Sequence, residues 1–209
     1  MFPVSPVTWD LDLLDRVLRR EGPAVRAWEA REVCVVLGRS NRAGREARLE
    51  ACARDGVPVY RRRGGGGAVV LAPGCLVVSV ARPLADPVCA GRGLEAAVRV
   101  LARALAETTG MHLEVRGTGD LCVGDRKVGG STVYARRGGF LYQASVLVSM
   151  DLGLVDRYLR HPSREPPYRR GRPHRTFLTT LAAEGGPADP GPLGKALERT
   201  LLDRWEEVG

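Results

Sequence analysis

Two stretches of this 209-residue chain gather residue types that act on acids and phosphates. The first is Tyr60-Arg61-Arg62-Arg63-Gly64-Gly65-Gly66-Gly67-Ala68-Val69. Four consecutive glycines remove every side chain that would keep a ligand from the backbone, and the arginines beside them suit a carboxylate or a phosphate. It is not a Walker A loop, because no Gly-Lys-Ser/Thr follows. It is not a dinucleotide fingerprint either, because a strand rather than a helix follows the glycines. A flexible hairpin loop with a solvated arginine run fits the same residues, and type and spacing alone leave both readings open. The second stretch runs from Gly117 to Ser131, where Lys127 enters a strand followed at once by Gly129-Gly130. An ammonium fixed there could stabilise negative charge on a phosphoryl group, a task of positioning and electrostatics. A turn lysine on a hairpin is the plainer alternative. Scarcity tilts the balance towards function: of 32 basic residues only Lys127 and Lys195 are lysine. In a chain whose composition points to a GC-rich coding bias, a surviving lysine is a candidate for chemistry that the planar guanidinium fork cannot do. Lys195 lies in a plain helical pattern.

The elements that must position these residues follow from periodicity. Leu11, Leu14 and Leu18 recur at helical spacing after Asp10, which is placed to cap the helix, and Gly22-Pro23 ends it. Ala24 to Trp28 and Glu32 to Leu37 read as strands, 44–55 as a short helix, and Val57 to Tyr60 as the strand entering the glycine loop. Ala68 to Leu71 and Cys75 to Val80 are strands on either side of a Pro73-Gly74 turn. Leu94, Val98, Leu101 and Leu105 share one face of the longest helix, 93–109. Leu113 to Arg116, Leu121 to Val123, Lys127 to Tyr134 and Leu141 to Val148 form a strand-rich second half. Residues 160–176, rich in proline and arginine, read as an irregular loop ordered by a partner. Residues 184–192 read as a Gly/Pro linker to a closing helix, Leu193 to Trp205. The pattern predicts one α+β domain over 1–209, a mixed, mainly antiparallel sheet packed by helices.

Composition narrows the classes. At 44% hydrophobic and 27% charged the chain can bury a core, which excludes general disorder. No run reaches the roughly 18 apolar residues of a spanning helix, and Met1 to Asp10 carries no signal-peptide pattern, so the expectation is a cytoplasmic protein with no membrane partner. The five cysteines are odd in number and lack CxxC spacing, and read as reduced thiols. His112, His161 and His174 lack metal-ligand spacing, which leaves any metal site unknown. A net charge of +8 points to acidic partners. Aromatics at 5% are too few to favour stacking on nucleic acid, which is not the expected partner.

Together the two glycine stretches resemble the catalytic domain of the biotin/lipoate protein ligase family, above all its lipoate-protein ligase A branch. The resemblance spans Val33 to Leu181. It rests on Gly38-Arg39-Ser40-Asn41, on Arg61-Arg62-Arg63-Gly64-Gly65-Gly66-Gly67-Ala68-Val69, on Gly119-Asp120-Leu121 and on Asp125-Arg126-Lys127-Val128-Gly129-Gly130-Ser131. It implies activation of lipoate or octanoate by ATP, with magnesium (Mg2+), to an acyl-adenylate, followed by transfer to a lysine of an acidic lipoyl-domain acceptor. It implies that Lys127 is catalytic and bridges the carboxyl and the α-phosphate. Arg62 would help hold phosphate, and Gly65, Gly66, Gly67, Ala68, Asp120, Gly129, Gly130 and Ser131 would bind the substrate and its adenylate. Arg169, Arg170, Arg172 and Arg175 are candidates for docking the acceptor.

The chain departs from the branch in places. Leu71-Ala72-Pro73-Gly74-Cys75 stands where His-Asp-x-Gly-Asn is common, and Tyr142-Gln143-Ala144 where His-His-Gly is common. Ala72-Pro73-Gly74 and Lys127-Val128-Gly129-Gly130 look similar to biotin ligases. The C-terminal accessory domain of the branch is not in this sequence, so a separate accessory subunit is a possible partner. Octanoyl or lipoyl transferases are the enzymatic rivals, but their thiol nucleophile falls where this chain has no cysteine: none lies between Cys89 and Cys122 or after Cys122. A non-catalytic domain that binds an adenylate or acyl group is the alternative of another class, and the intact Lys127 weighs against it.

Overall fold

The structure is a computed structural model and describes residues 2–84 and 90–204. In chain order the elements are β1 (Ser5–Pro6), α1 (Leu11–Leu18), β2 (Ala24–Glu29), β3 (Cys34–Leu37), α2 (Ala43–Glu46), α3 (Leu49–Arg54), β4 (Val59–Arg61), β5 (Val69–Leu71), β6 (Cys75–Leu84), α4 (Ala90–Thr109), β7 (Glu114–Arg116), β8 (Asp120–Val123), β9 (Arg126–Arg136), β10 (Gly138–Leu147), α5 (Gly153–Tyr158), α6 (His174–Phe177) and α7 (Pro190–Asp203). Single 3-10 turns lie at Pro167–Arg169 and Ala182–Glu184. A six-stranded sheet in the order β2-β6-β10-β9-β8-β7 is antiparallel throughout. A four-stranded sheet in the order β1-β4-β3-β5 pairs β4 parallel to β1 and to β3, with β5 antiparallel to β3. The α+β, mainly antiparallel architecture expected from the sequence is the one the chain adopts.

The two faces of the large sheet are sorted by the period-2 rule. Leu76, Val78 and Val80 of β6 and Phe140, Tyr142, Ala144 and Val146 of β10 join Val98, Leu101 and Leu105 of α4 and Leu193, Leu197 and Leu201 of α7 in one buried cluster. Burying each leucine there contributes about 1.5–3 kcal/mol relative to leaving it exposed. The intervening β10 residues Leu141, Gln143, Ser145 and Leu147 therefore face the other way, into a cleft between the sheets. The small sheet packs its own core, Val35, Leu37, Val59 and Val70, against α3 and α5.

Several elements differ from the sequence reading because tertiary contacts intervene. The single helix expected over 44–55 is split into α2 and α3. Ala47 bridges Leu159, and the Arg48 amide donates to the Tyr158 carbonyl at 2.8 Å, which pulls the chain out of the helix. Asp10 precedes α1 at φ 62° and makes no capping hydrogen bond. The segment 160–176 contains the Pro167–Arg169 turn and α6 and is tied down by its own side chains. The Gly/Pro stretch narrows, since α7 already begins at Pro190, with the Asp189 carboxylate accepting from the Gly191 amide at 2.9 Å. Trp205 and Cys89 lie outside the described residues.

Candidate active site

The β8–β9 hairpin sets the position of Lys127. It turns at Gly124, whose φ of +57° belongs to the region glycine enters freely. Cys122 pairs with Lys127, but Leu121 pairs with Gly129 and Asp120 with Gly130, so the register shifts by one residue between Leu121 and Cys122. Such a bulge re-aims side chains. Here it lets Lys127 fold back over Gly130, where a Cβ would sit only 2.7 Å from the Lys127 Nζ. The ammonium meets the Asp120 Oδ1 at 2.6 Å, with the two side chains 24% and 18% exposed. The Tyr168 hydroxyl donates to the other oxygen, Asp120 Oδ2, at 2.7 Å. Leu178 bridges Lys127 in parallel, and the Thr179 amide donates to the Lys127 carbonyl at 2.9 Å, which fixes the backbone at that point.

The glycine loop faces this pair across the cleft, and its glycines serve different ends. A Cβ on Gly64 would collide with the Thr132 Oγ1, and one on Gly38 would collide with the Gly66 carbonyl, so both are needed for close backbone approach. Gly66 has φ +83°. Gly65 and Gly67 have open space where a Cβ would be, which leaves room for a ligand to approach the backbone there. Arg62 donates from Nη2 to the Gly65 and Gly67 carbonyls at 2.5 and 2.8 Å and from Nη1 to the Val36 carbonyl at 3.3 Å. Arg62 thus shapes the loop while lining the cleft, and its buried Nε has no hydrogen-bond partner. Burial pushes this guanidinium down to about 10, and it remains a cation at neutral pH. Arg61 ties the Gly38, Arg39 and Asn41 carbonyls together at 2.8 to 3.1 Å, and the Asn41 Oδ1 accepts from the Gly38 amide at 2.7 Å.

The cleft has a volume of about 1230 Å³ and is lined by Arg62, the backbone of 65–67, Ala68, Asp120, Lys127, Gly129, Gly130 and Ser131 among others. Within that lining Gly129 packs tightly, since a Cβ would lie 2.8 Å from the Ser145 carbonyl, and the Ser131 hydroxyl donates to the Gly119 carbonyl at 2.7 Å. Both shape the wall of the cleft. The four arginines proposed for acceptor docking separate. Arg170 and Arg175 are exposed. Arg172 donates to the Asp125 carboxylate at 2.7 Å and to the Asp125 and Tyr168 carbonyls. Arg169 is buried, its side chain 5% exposed and its guanidinium 4.7 Å from the Phe177 ring centroid, so it cannot present itself to a partner protein.

Three contributors were not read from the sequence. Tyr168 holds Asp120, and Thr132 donates to the Gly65 carbonyl at 3.0 Å. Asp10, expected as a helix cap, is a buried carboxylate that accepts from Arg26 Nη1 and Trp28 Nε1, each at 2.9 Å, and from the Ser79 hydroxyl at 2.6 Å. It supports the cleft wall formed by Trp9 and Gln143, whose Nε2 donates to the Trp9 carbonyl at 3.2 Å. Tyr168 had a sequence signal, an aromatic within an Arg/Pro-rich run of a chain that has only 5% aromatics. Thr132 had none. Among the described residues all four cysteines are buried. Burial pushes the Cys34 thiol up to about 11 and the Cys75 thiol up to about 12, and raises those of Cys52 and Cys122.

The family profile described as the lipoyl protein ligase A/B catalytic domain matches residues 3–191. A protein of Aeropyrum pernix, described provisionally as a lipoate-protein ligase A, is 31% identical over 126 residues, which cover 59% of this chain. The match spans 46% of that relative, so this chain corresponds to less than half of its length. Among solved structures, the bi-partite lipoate protein ligase of Thermoplasma acidophilum, studied with its E2 lipoyl domain, superposes with a TM-score of 0.73 at 21% identity, covering 97% of this chain and 82% of that one. A lipoate-protein ligase A bound with ATP superposes with a TM-score of 0.71 at 22% identity, covering 99% and 84%. The fold is common to all of these structures, and the profile match takes in nearly the whole sequence. The chain belongs to the lipoyl protein ligase A/B catalytic-domain family.

Proposed function

We propose that this chain activates lipoate, or octanoate, with ATP and passes the acyl group to a lysine of a lipoyl-domain protein. The observation that carries this reading is the Lys127–Asp120 pair standing across one cleft from the open backbone of Gly65 and Gly67. A carboxylate oxygen of the acid attacks the α-phosphorus of ATP, and pyrophosphate leaves with the bonding pair. The Lys127 ammonium has three donors, of which Asp120 takes one, and the remainder can serve the acid oxygen and the α-phosphate as charge builds between them. In the second step the acceptor amine attacks the acyl carbon and AMP leaves, so the chain supplies no nucleophile. Magnesium enters with the nucleotide. Among the described residues no three His, Cys, Asp or Glu side chains come together, and the ion needs only one or two carboxylates beside phosphate oxygens and water. Arg170 and Arg175 are the exposed cations that suit an acidic acceptor. The relative from Thermoplasma acidophilum is bi-partite and was studied with an E2 lipoyl domain, which supports both an acceptor of this kind and a second ligase protein as partners.

Binding tests the reading. Lipoate or octanoate together with ATP and magnesium is expected to raise the Tm well beyond either alone, because a ligand at 100 times its Kd stabilises by about 2.7 kcal/mol. Biotin is expected to leave Tm unchanged. A rise with biotin and none with lipoate or octanoate would reassign the substrate.

A thioester route through this chain needs a thiolate, and burial disfavours one at each described cysteine. Replacing Cys34, Cys52, Cys75, Cys89 or Cys122 singly with Ala is therefore expected to leave transfer rates within about threefold of the parent, with stability lowered by about 1 kcal/mol at core positions. Loss of transfer in one such variant, with its fold intact by circular dichroism, would favour the transferase reading.

A further inference from the structure

The segment 160–176 is more than a rim of exposed charge. It sends one side chain, Tyr168, to the carboxylate that holds Lys127. Tyr168 sits in the 3-10 turn Pro167–Arg169 with its ring 5.3 Å from that of Phe177 and the Arg116 guanidinium 5.9 Å above it. A Cβ on Gly117 would meet its Cε1 at 3.7 Å, so the ring fills its slot. Its hydroxyl lies 2.7 Å from Asp120 Oδ2 and 3.6 Å from the Cys122 Sγ. Burial, then the neighbouring Asp120, push the phenol far above its ordinary range, so it stays a protonated donor at every working pH.

We propose that Tyr168 is a positioning residue that rations the grip of Asp120 on Lys127 and so links the arginine-rich segment to the acid-activating step. This inference rests on the proposed role of Lys127. With Oδ2 occupied by the phenol, the carboxylate is fixed in plane and turns only Oδ1 towards the ammonium. Two of the three ammonium donors then remain for a ligand in the cleft. Without the hydroxyl, Asp120 is free to rotate and take a second donor, which holds Lys127 back over Gly130 and away from the substrate. Because Tyr168 is fixed on the same segment as Arg170 and Arg175, displacement of that segment by a docking protein would reach the Lys127 ammonium through the Tyr168–Asp120 hydrogen bond, beside the backbone ties that Leu178 and Thr179 make to Lys127.

The variant Tyr168→Phe keeps the ring and its packing and removes only the hydroxyl. Acid activation is expected to fall at least tenfold in kcat while the KM for the acid stays within twofold, and Tm is expected to change by less than 3 °C. In an Asp120→Asn background the same substitution is expected to have less than a twofold effect, because the carboxylate it acts through is gone. A second readout is independent of turnover. The chain has two lysines, so 15N-lysine labelling gives one side-chain Nζ signal for Lys127 and one for Lys195. In Tyr168→Phe the Lys127 signal is expected to move while that of Lys195 does not. An unmoved Lys127 signal, or an equal loss of kcat with and without the Asp120 carboxylate, overturns the proposal. A shifted signal in a protein that activates no acid, even before substitution, upholds the positioning role and refutes the ligase reading instead.

Discussion

Lys127→Ala is expected to abolish acyl-adenylate formation while the chain stays folded. The side chain is partly exposed, packs over a glycine and forms no part of either main core, so its removal leaves the sheets intact. What is lost is the ammonium that pairs with the Asp120 carboxylate in the cleft. Removing a single preorganised charge-stabilising group from such a site costs about 2.7–4 kcal/mol, or 100- to 1000-fold in rate. Lys127→Arg is expected to lose nearly as much. The guanidinium is a planar fork, and the space over Gly130 that admits an Nζ at 2.7 Å from a would-be Cβ does not take that plane without displacing Asp120. Pyrophosphate release measures the step, and circular dichroism checks the fold. Turnover of the alanine variant within tenfold of the parent would remove Lys127 from the mechanism.

Asp10→Ala is expected to be the most destabilising single substitution among the exposed or buried carboxylates near the cleft, at about 3–5 kcal/mol. The Asp10 side chain is 3% exposed and collects the Arg26, Trp28 and Ser79 donors. Truncation strands the Ser79 hydroxyl in the interior and leaves the part-buried Trp28 indole N–H without this acceptor. For a chain of this size that loss lowers Tm by about 6–20 °C. The control is Asp12→Ala. Asp12 also pairs with Arg26 but is 58% exposed, and its removal is expected to cost less than about 1 kcal/mol. Thermal and urea unfolding of the two variants beside the parent decide the matter, and equal losses would contradict the hub.

The difference between the two aspartates shows where the sequence is legible. Leu11, Leu14 and Leu18 announce α1 through local periodicity, and Asp10 in front of them has the residue type of a cap. Nothing local reveals that its carboxylate is claimed by Trp28 and Ser79, 18 and 69 residues away. The glycine loop stands out for the opposite reason, since close backbone approach at positions such as Gly64 leaves a run of glycine as local pattern, and Lys127 stands out because the chain has only two lysines. The roles within the loop do not. The family resemblance implied a phosphate-holding role for Arg62, and nothing local revealed that it also binds the carbonyls of Val36, Gly65 and Gly67 once the loop closes. Arg169 belongs to an evident basic run but is buried at the end of the 3-10 turn, stacked on the Phe177 ring. The bulge between Leu121 and Cys122, which brings Lys127 over Gly130, leaves no mark of its own in the sequence.

In the proposed reaction the acyl group passes through an adenylate formed at Lys127 and never through the chain itself. Intact-mass spectrometry of both proteins, after the chain is mixed with synthetic lipoyl-adenylate and a lipoyl domain, tests it most directly. One lipoyl group is expected on the acceptor lysine, stable to hydroxylamine, with no added mass on this chain. A hydroxylamine-labile acyl adduct on this chain, or an acceptor left unmodified, would contradict it.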